Sequence, residues 1–387
     1  MKKYFNLLYS FVIMLCLGSV YAWSIFVPGL KDNYHFTTTQ TQLVFGVLIA
    51  TFTLTMVLAG KWERKFGPHL VTLLSAVFFS LGYITAGLSK GNFFFVFLGI
   101  GVIVGIGTGF GYLVSITNPV KWFPDKKGLV TGIAAAGFGL GAIVLTWLTK
   151  MLLESASDVL NVFIYIGMGY GTVIMIMAIL IKDPVTQPFK PIRQLTGIFT
   201  GTPFIKLAIG IFCGTFSGLL VIGNLKSIGS QYAIDNNTLL LGISFFSVAN
   251  FAGRLAWGWV SDYLKGNTSI PLALSFLGFF VFLIGYTPLS PFSYLVISSA
   301  IGFGFGANFV LFARETAHLF GVGNMGYIYP FVFMGYGMAG ILGPATGGYI
   351  FDLLFSYSYA AYIAAVISIT GAIVFMFSKS ESNQIIK

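Results

Sequence analysis

Residues 238–260 read TLLLGISFFSVANFAGRLAWGWV, an apolar run long enough to cross a hydrocarbon layer about 30 Å thick. Arg254 stands inside it, and the run holds no Asp or Glu to neutralise it. A guanidinium at the middle of a spanning helix costs on the order of 2.5–3.5 kcal/mol on insertion scales. Arginine cannot lose its proton to escape that cost. Such a side chain is expected to face a cavity and to meet a negative group, and an anionic ligand is the first candidate. Asp262 comes eight residues later, roughly 12 Å along a helix. With Asp262 at the edge of the span, Arg254 falls near mid-depth. Asn250 is one turn earlier on the same face. Together they offer a planar fork for a carboxylate and an amide for a further oxygen. The competing reading is an arginine that snorkels to the boundary or donates to carbonyls of a neighbouring helix.

The rest of the chain is of the same kind. Of 387 residues, 57% are hydrophobic and 8% charged, against roughly 25% charged in a soluble domain. The mean hydropathy is +0.89. Both describe an all-α, multi-pass membrane protein whose main partner is the lipid bilayer. The net charge of +10 does not imply nucleic acid, because the basic residues gather in alternate short loops. The N-terminus has the Lys2-Lys3, apolar run and Val20-Tyr21-Ala22 of a cleavable signal. Its apolar run is long and further spans follow, so it reads as the first transmembrane helix.

Twelve transmembrane helices are expected. Residues 5–27, 42–60, 71–88, 92–117, 129–148 and 160–181 form the first six. Residues 204–225, 238–260, 270–286, 292–313, 326–351 and 357–377 form the others. The domains follow: an N-terminal six-helix bundle over 1–181, a polar cytoplasmic connector over 182–203, and a C-terminal six-helix bundle over 204–387. With both termini cytoplasmic, 16 of the 21 basic residues lie inside. Lys31, Lys90, Lys150 and Lys226 lie outside, and Arg254 stays in the membrane. The two bundles are weak copies: span four carries Gly99, Gly101, Gly105, Gly107, Gly109 and Gly111, and span ten carries Gly302, Gly304 and Gly306. A duplicated pair of bundles implies a substrate site near the midplane of the membrane.

All eleven acidic residues map to loops, tails or span ends, so a buried carboxylate is not expected to carry protons or sodium. Cys16 and Cys213 sit in apolar spans as small hydrophobes. The histidines (His35, His69 and His318) fall at loops or span ends, and neither a metal site nor a cofactor is expected. With no nucleophile–base pair or metal cluster in any span, an enzyme is the least expected class. Aromatic residues with polar tips suit the walls of a small-acid site. Tyr21 and Trp23 in span one, Tyr112 in span four, and Tyr329 and Tyr336 in span eleven lie at suitable depths. In a chain 17% aromatic, each competes with a plain packing role. The glycines of spans four and five (Gly137, Gly139 and Gly141) read as close helix contacts, since no strand precedes them to build a phosphate loop.

Four segments carry a resemblance: Gly18-Ser-Val-Tyr-Ala-Trp-Ser-Ile-Phe26, Asn118-Pro-Val-Lys-Trp-Phe-Pro-Asp-Lys-Lys-Gly128, Asn250-Phe-Ala-Gly-Arg-Leu-Ala-Trp-Gly-Trp-Val-Ser-Asp262 and Asn324-Met-Gly-Tyr-Ile-Tyr329. The chain resembles the major facilitator superfamily, and within it the oxalate/formate antiporter branch related to monocarboxylate transporters. The resemblance implies that Arg254 pairs with a substrate carboxylate, with Asn250 beside it and Tyr112 across the cavity. Monocarboxylate carriers of eukaryotic type commonly have an aspartate, linked to proton coupling, where this chain has Asn250. Oxalate-exchanging members carry a lysine in helix eleven, and the matching place here is at or near Val332. One fixed cation suits a monoanion such as lactate, pyruvate or formate. The family's loop motif after span two expects an acid four residues past Gly60; here that place is Arg64, with Glu63 one place early and Gly67 following. In the second half Gly258 and Asp262 keep the spacing. The resulting expectation is a secondary transporter of small monocarboxylates in the cell (inner) membrane. It would work as a monomer by alternating access, through exchange or proton-linked movement. Dicarboxylate/formate antiport is the alternative, and a non-transporting sensor of organic acids a more distant one.

Overall fold

The computed structural model describes residues 2–154, 158–184 and 198–377. No strand occurs among the described residues. Of the connector expected over 182–203, residues 185–197 lie outside them. The first helix, α1 (Lys2–Leu17), passes into a 3-10 segment, Gly18–Ile25, and the short α2 (Val27–Tyr34) follows. Then come α3 (Thr38–Gly87), α4 (Phe93–Val96), a π-helical segment (Phe97–Val104) that runs into α5 (Gly105–Trp122), α6 (Lys127–Glu154) and α7 (Val159–Leu180). The remainder is α8 (Thr202–Ser230), α9 (Asn236–Tyr263), α10 (Gly266–Tyr286), α11 (Pro291–Phe320), α12 (Val322–Leu354) and α13 (Ser358–Phe377).

Eleven of these stretches are long and apolar enough to span a membrane, against the twelve spans expected. The difference lies in α3, which holds the second and third expected spans. Its two arms meet at Gly67, whose φ of 78° and ψ of 171° leave the helical region, and Pro68 opens the second arm. Glycine is the residue that takes a positive φ without a Cβ clash, and proline suits the first turn of a helix.

Two compact units are present. The first comprises residues 1–124 and 134–188, the second residues 125–133 and 189–387, so the first turns of α6 belong with the second unit. In the first unit α3 packs along α5 and α7, and α1 lies against the same two helices. In the second, α9 packs on α11, α10 on α13, and α8 on α12 and α13.

Glycine makes the closest of these crossings possible. A Cβ on Gly253 of α9 would stand 2.2 Å from the Phe303 carbonyl oxygen of α11. One on Gly302 would stand 2.3 Å from the Phe246 carbonyl oxygen, and one on Gly306 2.5 Å from that of Asn250. The two backbones therefore touch along more than a turn, which is how membrane helices gain contact without a hydrophobic drive between them. Gly107 and Gly109 of α5 approach the backbones of Phe79 and Phe52 in the same manner.

At one end of the first unit Asp158 caps α7 through the Leu160 amide, 3.0 Å away, and accepts the Tyr34 hydroxyl at 2.6 Å. Partial burial and the adjacent carboxylate push the Tyr34 phenol up to about 12. A raised folded-state value means this contact stabilises fully below the ordinary tyrosine value near 10 and is lost as pH rises towards 12. The alkaline fall in thermal stability between those limits is expected to be shallower in Tyr34→Phe than in the parent. Gly253→Leu is expected to force α9 and α11 apart, at a cost of at least about 1–3 kcal/mol. A lowered midpoint in a detergent thermal-unfolding assay checks it, with Gly169→Leu, where nothing lies within 4 Å of the new Cβ, as the tolerant control.

Candidate functional site

Asp235 starts α9 by accepting the Thr238 amide at 3.0 Å, and the helix runs unbroken past Arg254 to Tyr263. Its buried face carries Leu239, Gly242, Phe246, Asn250, Gly253, Arg254, Trp257, Gly258 and Ser261, a helical stripe. Arg254 is 0% exposed, which excludes the snorkelling alternative. Its Nε donates to Asn250 Oδ1 at 3.0 Å, and its Cζ lies 4.2 Å from the centre of the Phe309 ring on α11. The amide dipole and the ring face are both neutral groups that favour a cation and fix the plane of the guanidinium.

Gly306 explains how α11 brings Phe309 there. A Cβ at Gly306 would meet the Asn250 carbonyl oxygen, the Arg254 amide nitrogen and Asn250 Oδ1 at 2.5–3.0 Å. From the other side, a Cβ on Gly132 in the first turns of α6 would stand 2.6 Å from the Arg254 carbonyl oxygen. Arg254 thus sits where three backbones crowd within the second unit.

Behind Phe309 lies an aromatic cluster of the same unit. Tyr336 meets Phe309 edge-on at 5.4 Å and Phe333 at 4.9 Å, and Phe333 lies 5.4 Å from Tyr329. Tyr329 and Tyr336 are both buried, as is Val332, the place matched to the lysine of oxalate-exchanging relatives. Two of the aromatic residues expected near the site therefore share a cluster with Arg254's ring partner.

The other three lie in the first unit. Tyr21 and Tyr112 both pack edge-on against Phe138, at 5.1 and 5.2 Å, and Tyr112 also meets Phe52 at 5.0 Å. Trp23 donates its indole N–H to the Thr41 carbonyl at 3.0 Å and stacks on Phe163, which ties the 3-10 segment to the start of α3. That donor is spent on the fold.

The loop motif divides by half. Asp262 Oδ1 accepts the Gly128 amide at 2.7 Å and Oδ2 the Leu129 amide at 2.9 Å, so a carboxylate caps the N-terminus of α6. Orphan amides and the helix dipole both favour an anion there. Gly258 lets the turn close, since its Cβ would stand 2.6 Å from the Gly128 carbonyl oxygen. In the first half Gly60 is buried and Arg64 exposed. Glu63 is 5% exposed and turns inward, accepting Thr117 Oγ1 at 2.9 Å and Lys121 Nζ at 2.8 Å. Lys121 also reaches Asp183 at 3.2 Å. Moving the acid one place moves it about 100° around the helix, from a neighbouring helix start to an internal ion pair.

Two charges near helix ends are buried. Glu315 is buried near the end of α11 beside Arg314, 2.8 Å away, at a span end as expected. Lys206, counted among the cytoplasmic cations, is buried in α8, donating to Asn267 Oδ1 at 3.0 Å with the Phe375 ring 4.8 Å away. Both sit within two turns of a helix end. Arg254 lies deeper in its helix than either, nine residues before the end of α9 at Tyr263.

Residues 8–329 match the family model of the Major Facilitator Superfamily. The chain belongs to that superfamily. It is a multi-pass membrane transporter and not an enzyme. The MFS-type transporter YhjX of Escherichia coli (strain K12) is 28% identical over 349 residues, covering 88% of this chain and 86% of its own. The oxalate:formate antiporter of Oxalobacter formigenes is 25% identical, over 95% and 89% of the two chains. Monocarboxylate transporter 11 of Mus musculus is 22% identical, over 94% and 84%. The E. coli fucose:proton symporter FucP superposes with a TM-score of 0.75 at 14% identity, over 97% and 98%, a likeness of fold.

Phe309 was not legible in the sequence, being one of 41 phenylalanines in a chain without a pattern to single it out. Phe309→Leu keeps the volume apolar but removes the ring face, a loss of about 0.5–2 kcal/mol. The transporter's affinity for its substrate is expected to fall about 2- to 30-fold with its membrane level unchanged. A raised KM in proteoliposome uptake checks it, and Phe309→Trp is expected to restore much of the loss.

Proposed function

We propose that this transporter moves small monocarboxylate anions of the lactate, pyruvate or formate class across the cell membrane, with Arg254 binding the carboxylate. The observation that carries this reading is the placement of Arg254: fully buried inside a span-length helix, with its plane set by Asn250 and Phe309. The terminal nitrogens of a guanidinium present paired donors at the spacing of carboxylate oxygens. Small carboxylates are also what the names of two relatives have in common. In α12 no residue is basic, and Val332 occupies the place matched to the second cation of oxalate exchangers. One mid-span cation balances one carboxylate.

The cycle rests on charge. A bound carboxylate sets an opposite charge beside the buried guanidinium and lowers the cost of enclosing it. Alternating access is then favoured for the loaded carrier over the empty one, which supports exchange, or an acid carried with its proton, over leak. Asn250 does not titrate, so a proton that moves with the substrate is not carried at that position. Tyr112, Tyr329 and Tyr336 are retained as candidate hydroxyl donors, to be tested singly as phenylalanine variants, and Tyr21 as an apolar wall. Arginine that pairs with a planar anion is not replaceable by lysine.

Arg254→Gln and Arg254→Lys are therefore expected to abolish counterflow of labelled lactate and formate in proteoliposomes, with the protein still folded and monodisperse. Lactate counterflow at the parent rate in either variant would overturn the assignment. Competition by oxalate decides between this reading and dicarboxylate/formate antiport, which one relative's name suggests. Weak competition is expected, and full competition at equal concentration favours the antiport reading.

A further inference from the structure

The end of the first arm of α3 reads Lys61-Trp-Glu-Arg-Lys65, and the inward turn of Glu63 leaves an unusual face outside. Lys61, Arg64 and Lys65 are all exposed, and their spacing of three and four residues puts them on one helical face. The nearest acid in sequence is withdrawn from that face and held by Lys121 and Thr117. Among the described residues, neither Lys61 nor Lys65 takes part in an ion pair. Lys65 instead lies 4.9 Å over the ring of Phe66, which is 47% exposed.

The same face continues along α3 as an exposed apolar stripe. Leu58 and Leu54 stand three and seven residues before Lys61 and are 41% and 59% exposed. The stripe therefore runs about 10 Å from the level of Leu54 to the cations. A surface that is apolar at acyl depth and carries three cations at the span end has the two-part chemistry of a phospholipid, with the charge of an anionic one.

We propose that this face of the first unit is a binding site for an anionic phospholipid. Its phosphate sits among Lys61, Arg64 and Lys65, and its acyl chains lie along Leu54 and Leu58. The site is independent of the Arg254 reading: it lies on a different unit and does not use the substrate. A basic side chain near an anionic headgroup contributes about 1 kcal/mol. Replacing all three is then expected to weaken retention on the order of 100-fold.

The test uses the full chain in nanodiscs of phosphatidylcholine alone and of phosphatidylcholine with one-quarter phosphatidylglycerol. Thermal midpoint and lipid retention in native mass spectrometry are read for the parent, for K61Q/R64Q/K65Q, and for K3Q/K126Q/K265Q. The last removes the same charge from other exposed cations at helix ends. The expected result is a phosphatidylglycerol-dependent rise in midpoint and bound phosphatidylglycerol in the parent and in the second variant, both lost in the first. Equal loss in both variants, which would mean diffuse attraction, overturns the site; so does no loss in either, or no rise in the parent. Should the first triple variant fold poorly in phosphatidylcholine alone, K61Q and K65Q are read singly, each with roughly fivefold weaker retention expected.

Discussion

A permanent positive charge buried inside a span-length helix is the constraint on which the second unit is organised. Arg254 cannot be neutralised by losing its proton, and a fully buried ion loses most of its hydration. The protein answers with dipoles and a ring. Asn250 places an amide oxygen on Nε, and Phe309 lays its π face under the guanidinium. Together they hold the side chain in one orientation.

Glycine geometry delivers those partners. Asn250 and Arg254 lie on the face of α9 where Gly253, Gly302 and Gly306 allow α11 to touch the backbone. With larger residues at the crossing, Phe309 would stand too far from the guanidinium to stack. The small-residue pattern and the buried arginine are thus linked through helix separation. The first unit uses the same principle in α3 and α5 but without a buried mid-span cation among its described residues.

The two ends that follow Gly60 and Gly258 show how one residue of register redirects a charge. Asp262, four places after its glycine, reaches the amides that open α6. Glu63, three places after its glycine, reaches Lys121 and Thr117 inside the first unit. The two carboxylates are nearly equivalent in sequence and differ by about one-quarter turn in direction. The exposed positions left beside Glu63 become basic, which gives the two halves different outer surfaces.

Composition and apolar length alone determined that this chain is a helical membrane protein with about twelve crossings, because a span must be long, apolar and satisfied within its own backbone. The sequence by itself also singled out Arg254 and Asn250, since an uncompensated charge in an apolar run is conspicuous and a four-residue spacing fixes a shared face. Tertiary structure decided the rest. Phe309 is invisible in a chain so rich in aromatic residues until α11 is packed against α9. Trp23 reads like Tyr21 until its N–H is seen on the Thr41 carbonyl. Lys206 and Glu315 read as charges near span ends, and only packing shows that both are buried. Helical periodicity orients a side chain along one element only; which neighbour it meets depends on where the other helices pass.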